Sequence, residues 1–496
     1  MLDNEYNFDI PKEVLEVTEK IKRAGFGAYL VGGCVRDLLL HKKPKDWDVA
    51  TNATPDEIQA LFKKTVYENK FGTVAIVNED VSDETLKIIE ITPYRKDEKY
   101  SDKRHPDSVS FAGSIEEDLK RRDFTINALA LDVSGETGFK IIDPFCGRAD
   151  IKGKVVKAVG NPDERFSEDA LRTVRAVRIA TELNFKISHE TGESIKNNIK
   201  LLDFISKERV REEFTKIIMS DNPSNGMRMM NEFGVLKYVA HETEEGIGVR
   251  QNKAHIYPVW DHLLKALDYA AYKKWPFHVR LAALLHDVAK PQTRRWSEEK
   301  EDWTFYGHDV VGAKITEKLL SRLKFSKRTI DIVRKLVRYH MFFSDTEKIT
   351  LSAVRRIVRN VGPENVWDLM KVRFCDRIGM GKPKESPYRL RKYEAMIEEA
   401  MRDPITVRML KIDGNRITEL LHVEPGPVIG QVLHVLLEEV LDDPKKNSAE
   451  WLEARVKELG KLPEEELKKV GERAKKTKES LEEDEVKKIY KKWWVE

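Results

Sequence analysis

Cysteine is scarce in this 496-residue sequence, and long apolar segments are missing from it. The cysteines Cys34, Cys146 and Cys375 are far apart and lack the spacing of zinc ligands. So few cysteines exclude a disulfide-rich secreted domain and suit a reducing compartment. No apolar run approaches the roughly 18 residues that a membrane-spanning helix needs, and residues 1–10 are too polar for a signal peptide. We therefore expect a soluble cytoplasmic protein without a membrane partner.

An excess of either charge is missing as well. The chain holds 88 Lys and Arg against 85 Asp and Glu, although 35% of its residues are charged. The overall charge therefore does not indicate a polyanionic partner, and nucleic-acid binding would require a local basic patch. The length is sufficient for several domains with cores of their own.

Residues 29–50 carry the first chemical pattern. They predict an apolar strand, a turn at Gly32 and Gly33, a helix start and a second strand that carries Asp46 and Asp48. Because strand side chains alternate between faces, the two carboxylates share one side. Glycines let backbone N–H groups approach phosphates, and paired carboxylates hold the divalent ions used in phosphoryl transfer. An Asp-x-Asp pair alone would be an ordinary solvated strand edge, but the glycine turn and the later motifs favour metal-assisted phosphoryl transfer.

Two later segments add more polar residues. Residues 118–129 predict a cluster on one to two helical turns, made of Arg122, Asp123 and Asn127. Residues 167–178 predict a helix on which a stripe recurs every third position, made of Asp169, Arg172, Arg175 and Arg178. On its own such a stripe would be a solvated helix face with an ion pair.

An acid beside a guanidinium can also distinguish nucleobases. Cytosine and adenine present an amino donor next to an unprotonated ring nitrogen, whereas uracil and guanine present a carbonyl next to a ring N–H. Asp169 and Arg172 would offer an acceptor and a donor that match the first pair only. Such a bidentate contact is worth roughly 1–3 kcal/mol of discrimination, and a mismatch leaves buried polar groups unpaired.

Together these motifs resemble the nucleotidyltransferase superfamily that includes DNA polymerase β, and most closely its class II tRNA nucleotidyltransferase and bacterial poly(A) polymerase branch. The resemblance covers residues 29 to about 450. It implies an α+β protein, with a polymerase-β-like mixed-sheet head followed by an all-α neck, an HD-type body and a helical tail. The implied activity is template-independent addition of CCA to the 3′ end of tRNA from CTP and ATP. The implied catalytic residues, which would bind Mg²⁺, are Asp46 and Asp48. The implied nucleotide-binding residues are Gly32, Gly33, Arg36, Arg122, Asp123, Asn127, Asp169, Arg172, Arg175 and Arg178.

A second set of residues resembles the HD phosphohydrolase domain. The implied metal ligands are His262, His286, Asp287 and Asp376, and the extra histidines of two-metal versions are matched by His308 and His340. Such ligands suit Mn, Fe, Ni or Mg ions, and the spacing of the ligands in the sequence does not indicate which of these ions binds. Some proteins with this domain hydrolyse phosphoesters, including cyclic phosphates at RNA ends, and others keep it as a scaffold. We therefore expect metal binding here and leave the accessory hydrolysis open.

The same reasoning divides the chain into five segments. These are a head (1–159), a neck for base recognition and RNA binding (160–245), an HD-type body (246–380), a tRNA-binding tail (381–450) and a charged helical extension (451–496). Between Pro93 and Val109 lies a polar loop of the kind that helps the family switch from adding C to adding A. Its full length favours an enzyme that adds A.

Three alternatives stay open from the sequence. An A-adding tRNA nucleotidyltransferase or a poly(A) polymerase would share every head motif. An HD metal-dependent phosphohydrolase with an inert head belongs to a different class, which the intact head motifs disfavour. A pure RNA-binding module is the least favoured, because its carboxylates would repel phosphate without metals.

Overall fold

The computed structural model describes residues 8–67, 72–97, 109–111, 113–133, 139–342, 349–402 and 407–495. The chain divides into two compact units, of which the first comprises residues 1–340 with 371–383 and the second comprises residues 341–370 with 384–496. The polar loop predicted after Pro93 lies for the most part outside the described residues. Within the described ranges, no helix has both the length and the apolar character needed to cross a lipid bilayer.

A seven-stranded mixed sheet forms the head of the first unit. The strands of this region are β1 (Ala28–Val31), β2 (Trp47–Thr51), β3 (Thr65–Tyr67), β4 (Val74–Val77), β5 (Ile88–Pro93), β6 (Arg95–Asp97), β7 (Val109–Phe111), β8 (Ala130–Asp132) and β9 (Lys140–Ile142). Their order in the sheet is β3-β4-β5-β2-β1-β8-β9, and β6 pairs with β7 separately. Only β2 and β5 pair in parallel among the described strands of this sheet.

The helices of the head are short and begin at recognisable sequence features. They are α1 (Lys12–Arg23), α2 (Gly33–Leu39), α3 (Pro55–Leu61), α4 (Ile115–Lys120) and α5 (Gly147–Gly153). At the start of α3 the Thr54 side chain accepts the backbone N–H of Glu57, and the Glu57 carboxylate accepts the N–H of Thr54. This reciprocal capping box satisfies two N–H groups that a helix start leaves free.

One predicted helix is shorter than expected. The segment 118–129 was predicted to hold its polar cluster on helical turns, but α4 ends at Lys120 and a 3-10 turn follows at Thr125–Asn127. Arg122 and Asp123 therefore lie in a bend, where the Asp123 carboxylate accepts the backbone N–H of Phe124. Aspartate favours such local bonds over helix continuation, which explains the break.

The rest of the first unit is almost entirely helical. It contains α6 (Pro162–Glu168), α7 (Leu171–Leu183), α8 (His189–Asn198), α9 (Lys207–Met219), α10 (Pro223–Glu232), α11 (Leu236–Val239), α12 (Val259–Tyr272), α13 (Phe277–Leu285), α14 (Lys290–Thr293), α15 (His308–Arg322) and α16 (Lys327–Tyr339). Two small strand pairs interrupt these helices, β10 (Val155–Val156) with β11 (Lys186–Ile187) and β12 (Arg295–Ser297) with β13 (Asp302–Thr304). The mixed-sheet head followed by helices confirms the predicted α+β class.

The second unit is helical in its described residues. Its helices are α17 (Leu351–Val361), the first residues of α18 (Val366–Gly379), α19 (Tyr388–Met401), α20 (Gly414–Leu421), α21 (Pro427–Asp442), α22 (Ala449–Leu459) and α23 (Glu464–Lys492). The charged helix predicted at the end of the chain is α23, and it packs along α21. After the end of α23, Trp493 stacks on Trp367 with their ring centres 5.8 Å apart, whereas Trp494 is 80% exposed.

Candidate active site

Asp48 stands on β2 with its side chain opposite the core. Its neighbours Trp47 and Val49 are buried, while Asp48 is half-buried and Asp46, just before the strand, is exposed. The parallel register of β2 and β5 places Glu90 beside Asp48. Burial raises the pKa of Asp48; the nearby Arg122 lowers it and the charge of Asp46 raises it further. These oxygens are the type of ligand that hard divalent cations prefer.

The glycine turn lets an arginine approach this strand. Gly32 has φ 77°, in the left-handed region that favours glycine. A Cβ at Gly32 would lie 2.8 Å from the Arg122 Nη1 atom and 3.7 Å from the Asp48 Oδ2 atom. Gly32 therefore leaves room for the Arg122 guanidinium near the Asp48 carboxylate. Gly33 begins α2, where a Cβ would meet Arg36 only at 3.5 Å.

A chain of hydrogen bonds ties α2 to α7. Arg36 Nη1 donates to Asn127 Oδ1 at 2.7 Å, and Asn127 Nδ2 donates to Asp123 Oδ1 at 3.2 Å. Arg175 on α7 donates to Asp123 Oδ2 from Nε at 2.9 Å and from Nη2 at 2.7 Å. Burial alone would raise the pKa of Asp123, but the Arg175 guanidinium outweighs it and holds the pKa below its ordinary value. This network fixes the position of Arg175.

The strand carboxylates and the arginine helix face one cavity of about 390 Å³. Its described lining includes the carboxylates Asp48, Glu90, Asp123 and Asp169 together with the arginines Arg95, Arg121, Arg122, Arg172, Arg175 and Arg209. A cavity with carboxylates on two neighbouring strands and many guanidiniums around them has the charges needed to hold a cation and a polyphosphate together.

Asp169 lies at the start of the arginine stripe but not on its helix. It has extended backbone between α6 and α7, and its carboxylate accepts the backbone N–H of Leu171 at 3.1 Å. The prediction of one continuous helical stripe is therefore wrong at this residue, because the aspartate satisfies a free N–H at the start of α7. The Asp169 Oδ2 atom also accepts the Arg209 Nη2 at 2.7 Å.

The other end of the stripe turns away. Arg178 pairs with Glu213 at 2.6 Å and with Glu182 at 2.7 Å, and it is not among the described residues that line the cavity. Each step of three residues turns a helix by about 60° short of a full circle. Two steps from Arg172 to Arg178 therefore turn the side chain well away from the cavity. Arg172 itself donates to Glu168 Oε2 at 2.6 Å.

The sequence did not indicate several residues of this cavity. Arg95, Arg121 and Arg209 line it without having been predicted. Arg209 lies on α9, 40 residues from its partner Asp169. Its only sequence feature is a position in a charged helical segment, which is typical of surface helices as well.

A second polar cluster is buried among the helices of the same unit. It brings together all the predicted HD residues, since Asp287 lies 3.1 Å from His262, 3.4 Å from His286, 3.2 Å from His308 and 3.5 Å from His340, and Asp376 lies 3.4 Å from His262. The Nε2 atoms of His308 and His340 are buried without a hydrogen-bond partner among the described residues, and both face Asp287 Oδ1. Unpaired buried polar atoms that converge on one place are expected where a metal binds.

Two further residues of this cluster were not predicted. His255, His262, Asp287 and Asp376 offer ligand atoms within 4.8 Å of one another, and Asp287, His308 and His340 form a second such group. Lys290 is buried beside them, 2.5 Å from Asp287 Oδ2 and 2.6 Å from Gln251 Oε1. Burial alone would lower the pKa of His286, but Asp287 and Asp376 raise it to about 10.

Comparison with known proteins agrees with both parts of this site. Family models match residues 28–157 as a poly(A) polymerase head domain, residues 184–247 as a probable RNA- and SrmB-binding site of polymerase A, and residues 259–392 as an HD domain. A CCA-adding enzyme of Ligilactobacillus salivarius is 33% identical over 450 residues, which cover 90% of this chain and 96% of the relative. The chain belongs to the family of CCA-adding enzymes.

Further members of the CCA-adding family agree with this assignment. The CCA-adding enzyme of Enterococcus faecalis is 36% identical over 342 residues, covering 66% of this chain and 81% of the relative. A crystal structure of the Bacillus stearothermophilus CCA-adding enzyme in complex with CTP shares 28% identity and has a TM-score of 0.59, covering 90% of this chain and 96% of that one. The predicted resemblance is confirmed, and nucleotidyltransferase and HD domains generally use divalent metal ions.

Proposed function

We propose that the chain adds C, C and A to the 3′ end of tRNA from CTP and ATP without a nucleic-acid template. The observation that carries this proposal is the single cavity lined by Asp48 on one side and by Asp169 and Arg172 on the other. One nucleoside triphosphate in this cavity would meet the carboxylates with its phosphates and the Asp169 region with its base.

The proposed metal ligands of the head are Asp46 and Asp48, with Glu90 as a helper. Their carboxylate oxygens suit a divalent cation. The charge of Asp46 raises the pKa of Asp48, and the strand register places Glu90 beside Asp48. Bound Mg²⁺ would supply activation of the tRNA 3′-hydroxyl and neutralisation of the triphosphate. The chain itself contributes Arg122 and Arg175, whose guanidiniums would hold phosphate oxygens in a fixed geometry. No side-chain nucleophile is needed, because catalysis of phosphoryl transfer rests on the positioning of the reactants and on stabilisation of the developing charge.

Base choice is assigned to Asp169 and Arg172. The Asp169 carboxylate is held by Arg209 and by the N–H of Leu171, so that its orientation is fixed before a nucleotide arrives. An acceptor fixed in this way meets the amino group of cytosine or adenine and opposes the carbonyl of uracil or guanine. Pre-organisation of this kind lowers the entropic cost of selecting a base.

The five predicted segments and the cytoplasmic location belong to the same proposal. Residues 1–159 would carry catalysis, residues 160–245 base recognition, and residues 381–450 contacts to tRNA. Five residues of the predicted nucleotide site act indirectly under this proposal, because they position Arg122 and Arg175. These residues are Gly32, Gly33, Arg36, Asp123 and Asn127. Under this proposal Arg178 supports the neck and does not touch the nucleotide.

A specific observation favours a second function, metal binding by the HD cluster. The unpaired Nε2 atoms of His308 and His340 lie beside Asp287, and His262, His286 and Asp376 complete a ligand set that fits one or two divalent ions. A bound ion would supply an activated water for phosphoester hydrolysis. The chain's own part is to hold the ligands in a dry pocket, since Asp287 and the histidines are buried.

The deciding experiment uses tRNA that lacks one, two or three terminal nucleotides. With CTP and ATP together, we expect each substrate to be completed to the same CCA end. Addition of A alone would identify an A-adding enzyme, and untemplated growth beyond CCA would identify a poly(A) polymerase. Absence of any addition, with hydrolysis of phosphoesters, would favour the HD phosphohydrolase with an inert head.

A further inference from the structure

We propose that a cavity behind β2 binds an uncharged planar ring compound, whose carbonyl or ring-nitrogen acceptor meets the indole N–H group of Trp47. This cavity shares no described residue with the nucleotide cavity or with the histidine cluster. The inference goes beyond the proposed function and does not depend on it.

The first observation is the size and position of this cavity in the head. Its volume is about 540 Å³, within the range of roughly 300–1,000 Å³ that is usual for sites of small organic ligands. The residues that line it come from three stretches of chain: residues 8–11 before α1, residues 38–47 from the end of α2 to the start of β2, and residues 83–86 before β5.

The buried part of the lining is mostly apolar. Its buried side chains are Phe8, Leu38, Pro44, Trp47 and Leu86. Walls of this kind offer few partners to water, because a buried water molecule typically makes about three hydrogen bonds. They suit the apolar faces of a ring compound instead.

The second observation is a buried hydrogen-bond donor in this lining. Trp47 is 1% exposed, and its Nε1 atom has no hydrogen-bond partner among the residues that the structure describes. The N–H group of a buried tryptophan usually has a partner, since a buried donor that is left unpaired costs free energy. An acceptor on the ligand that reaches Nε1 would remove this cost. The ligand therefore carries a carbonyl oxygen or an unprotonated ring nitrogen.

The charges at the rim of the cavity favour an uncharged ligand. Lys43 and Asp83 pair at 2.5 Å and neutralise each other. Lys42 and Asp9 carry opposite charges, and both are exposed. With His41 neutral, the lysines and the aspartates of the lining cancel. A triphosphate would gain little attraction here, so that the charges do not favour a nucleotide.

The cavity borders on the strand that carries the proposed metal ligand Asp48. Trp47 and Asp48 are neighbours on β2, and the alternation of a strand sends their side chains to opposite faces. The strand register places Trp47 beside Ile89 and Asp48 beside Glu90. A compound bound at Trp47 would therefore contact the strand that positions Asp48 without entering the nucleotide cavity.

The test is an NMR titration of the full chain with ¹⁵N-labelled tryptophan. The probes are 1-indanone, which has a carbonyl acceptor, and indane, which has the same two rings without it. The indole signal of Trp47 is identified by its loss in Trp47→Phe. We expect 1-indanone to shift this signal in a saturable manner and to bind about fivefold more tightly than indane, the factor typical of one neutral hydrogen bond.

The same two probes are then compared on two variants by ligand-observed NMR. Trp47→Phe removes the N–H group and keeps an aromatic ring, so that 1-indanone should lose its advantage over indane. The matched control is Trp451→Phe, which changes a tryptophan of α22 in the second unit and should keep the difference found in the wild type.

Each outcome decides the proposal. Absence of saturable binding, or equal affinity of the wild type for 1-indanone and indane, would overturn it. A preference for 1-indanone that persists in folded Trp47→Phe would overturn the role of the indole N–H group. Displacement of 1-indanone by CTP would overturn the separation from the nucleotide cavity. If Trp47→Phe does not fold, the comparison of the two probes on the wild type still decides.

Discussion

At the scale of single residues, the head depends on carboxylates whose positions the strand period fixes. Asp48 points away from the core because Trp47 and Val49 occupy the other face of β2. Glu90 reaches the same cavity only because β5 runs parallel to β2 in this register. Backbone pairing thus sets the positions of the proposed metal ligands, and the chemistry should be sensitive to the loss of one oxygen donor.

Asp46→Ala and Asp48→Ala should each abolish the incorporation of CMP and AMP alike. Without either carboxylate the divalent ions lose a ligand that both nucleotides require. Gel analysis of labelled tRNA measures the incorporation. The control is Asp80→Ala, which removes an exposed turn carboxylate from the same head and should retain activity. Normal incorporation by well-folded Asp46→Ala would contradict the assignment.

Asp169→Ala should relax base choice and leave catalysis in place. The loss of one bidentate reader corresponds to roughly 1–3 kcal/mol, so that UMP or GMP incorporation should rise by about one order of magnitude or more. Arg209→Ala should act in the same direction but less strongly, because it frees the Asp169 carboxylate without removing it. Primer extension with each single nucleotide measures the selectivity.

The control for base choice is Arg228→Ala, which breaks an ion pair with Asp261 on α12 and should keep the selectivity of the wild type. Unchanged selectivity in Asp169→Ala would exclude its role as a base reader.

Individual residues were predictable where a local pattern fixes them. The alternation around Asp48 and the adjacent His286 and Asp287 needed only the neighbouring residues. Arg209 and His255 could not be found in the same way, because their partners are distant in sequence and their own surroundings resemble ordinary helix or loop segments.

At the scale of elements, α21 and α23 come into close contact at a glycine. A Cβ at Gly471 on α23 would lie 2.8 Å from the Cβ and 3.0 Å from the Cα of Gln431. Gly471→Ala should therefore lower the melting temperature of the second unit, since neither backbone can give way cheaply. Gly430→Ala is the matched control, because a Cβ there meets nothing within 4 Å and alanine favours the helix by up to about 1 kcal/mol. Equal melting temperatures in the two variants, measured by calorimetry, would contradict this close packing.

A buried acid on α19 should make the second unit sensitive to pH. Burial raises the pKa of Glu394 from 4.5 to about 7, although the Ser386 hydroxyl bond lowers it. The folded state therefore keeps a proton that the unfolded state has lost, so stability falls as pH rises from about 4.5 to about 7. The change amounts to at most roughly 3 kcal/mol.

Glu394→Gln should remove this slope, as followed by thermal unfolding at several pH values. Glu450→Gln changes an exposed acid and should keep the slope of the wild type. A wild-type slope in Glu394→Gln would show that another group is responsible.

Element boundaries were predictable where capping residues mark them, as at Thr54 before α3 and Pro427 at the start of α21. The sheet order was not, since β1 lies between β2 and β8 and such non-local pairing leaves no local pattern. The helical prediction failed at Asp169, because an aspartate three residues before Arg172 fits a position on the helix face and a position at the helix start equally well.

At the scale of the whole molecule, the first unit holds two separate candidate metal sites. His262→Ala should lower the metal content of the purified protein and leave CCA addition intact, because His262 belongs to the buried HD cluster alone. Asp48→Asn should abolish CCA addition and leave the metal bound by the HD cluster unchanged. Elemental analysis and nucleotide incorporation on the same preparations test both statements. Loss of CCA addition in folded His262→Ala would show that the two sites depend on each other.

The family and the overall fold class were predictable because long motifs extend over most of the chain. The cavity behind β2 was not, since Trp47 is typical of any buried strand until its unpaired N–H group is known.

Lys290 has a consequence for the biogenesis of the protein. Its ammonium group lies against Asp287 and Gln251 in the buried cluster and supplies a positive charge before any ion arrives. The buried Asp287 carboxylate is therefore compensated without a bound cation, and we expect the newly synthesised chain to fold in the absence of metal.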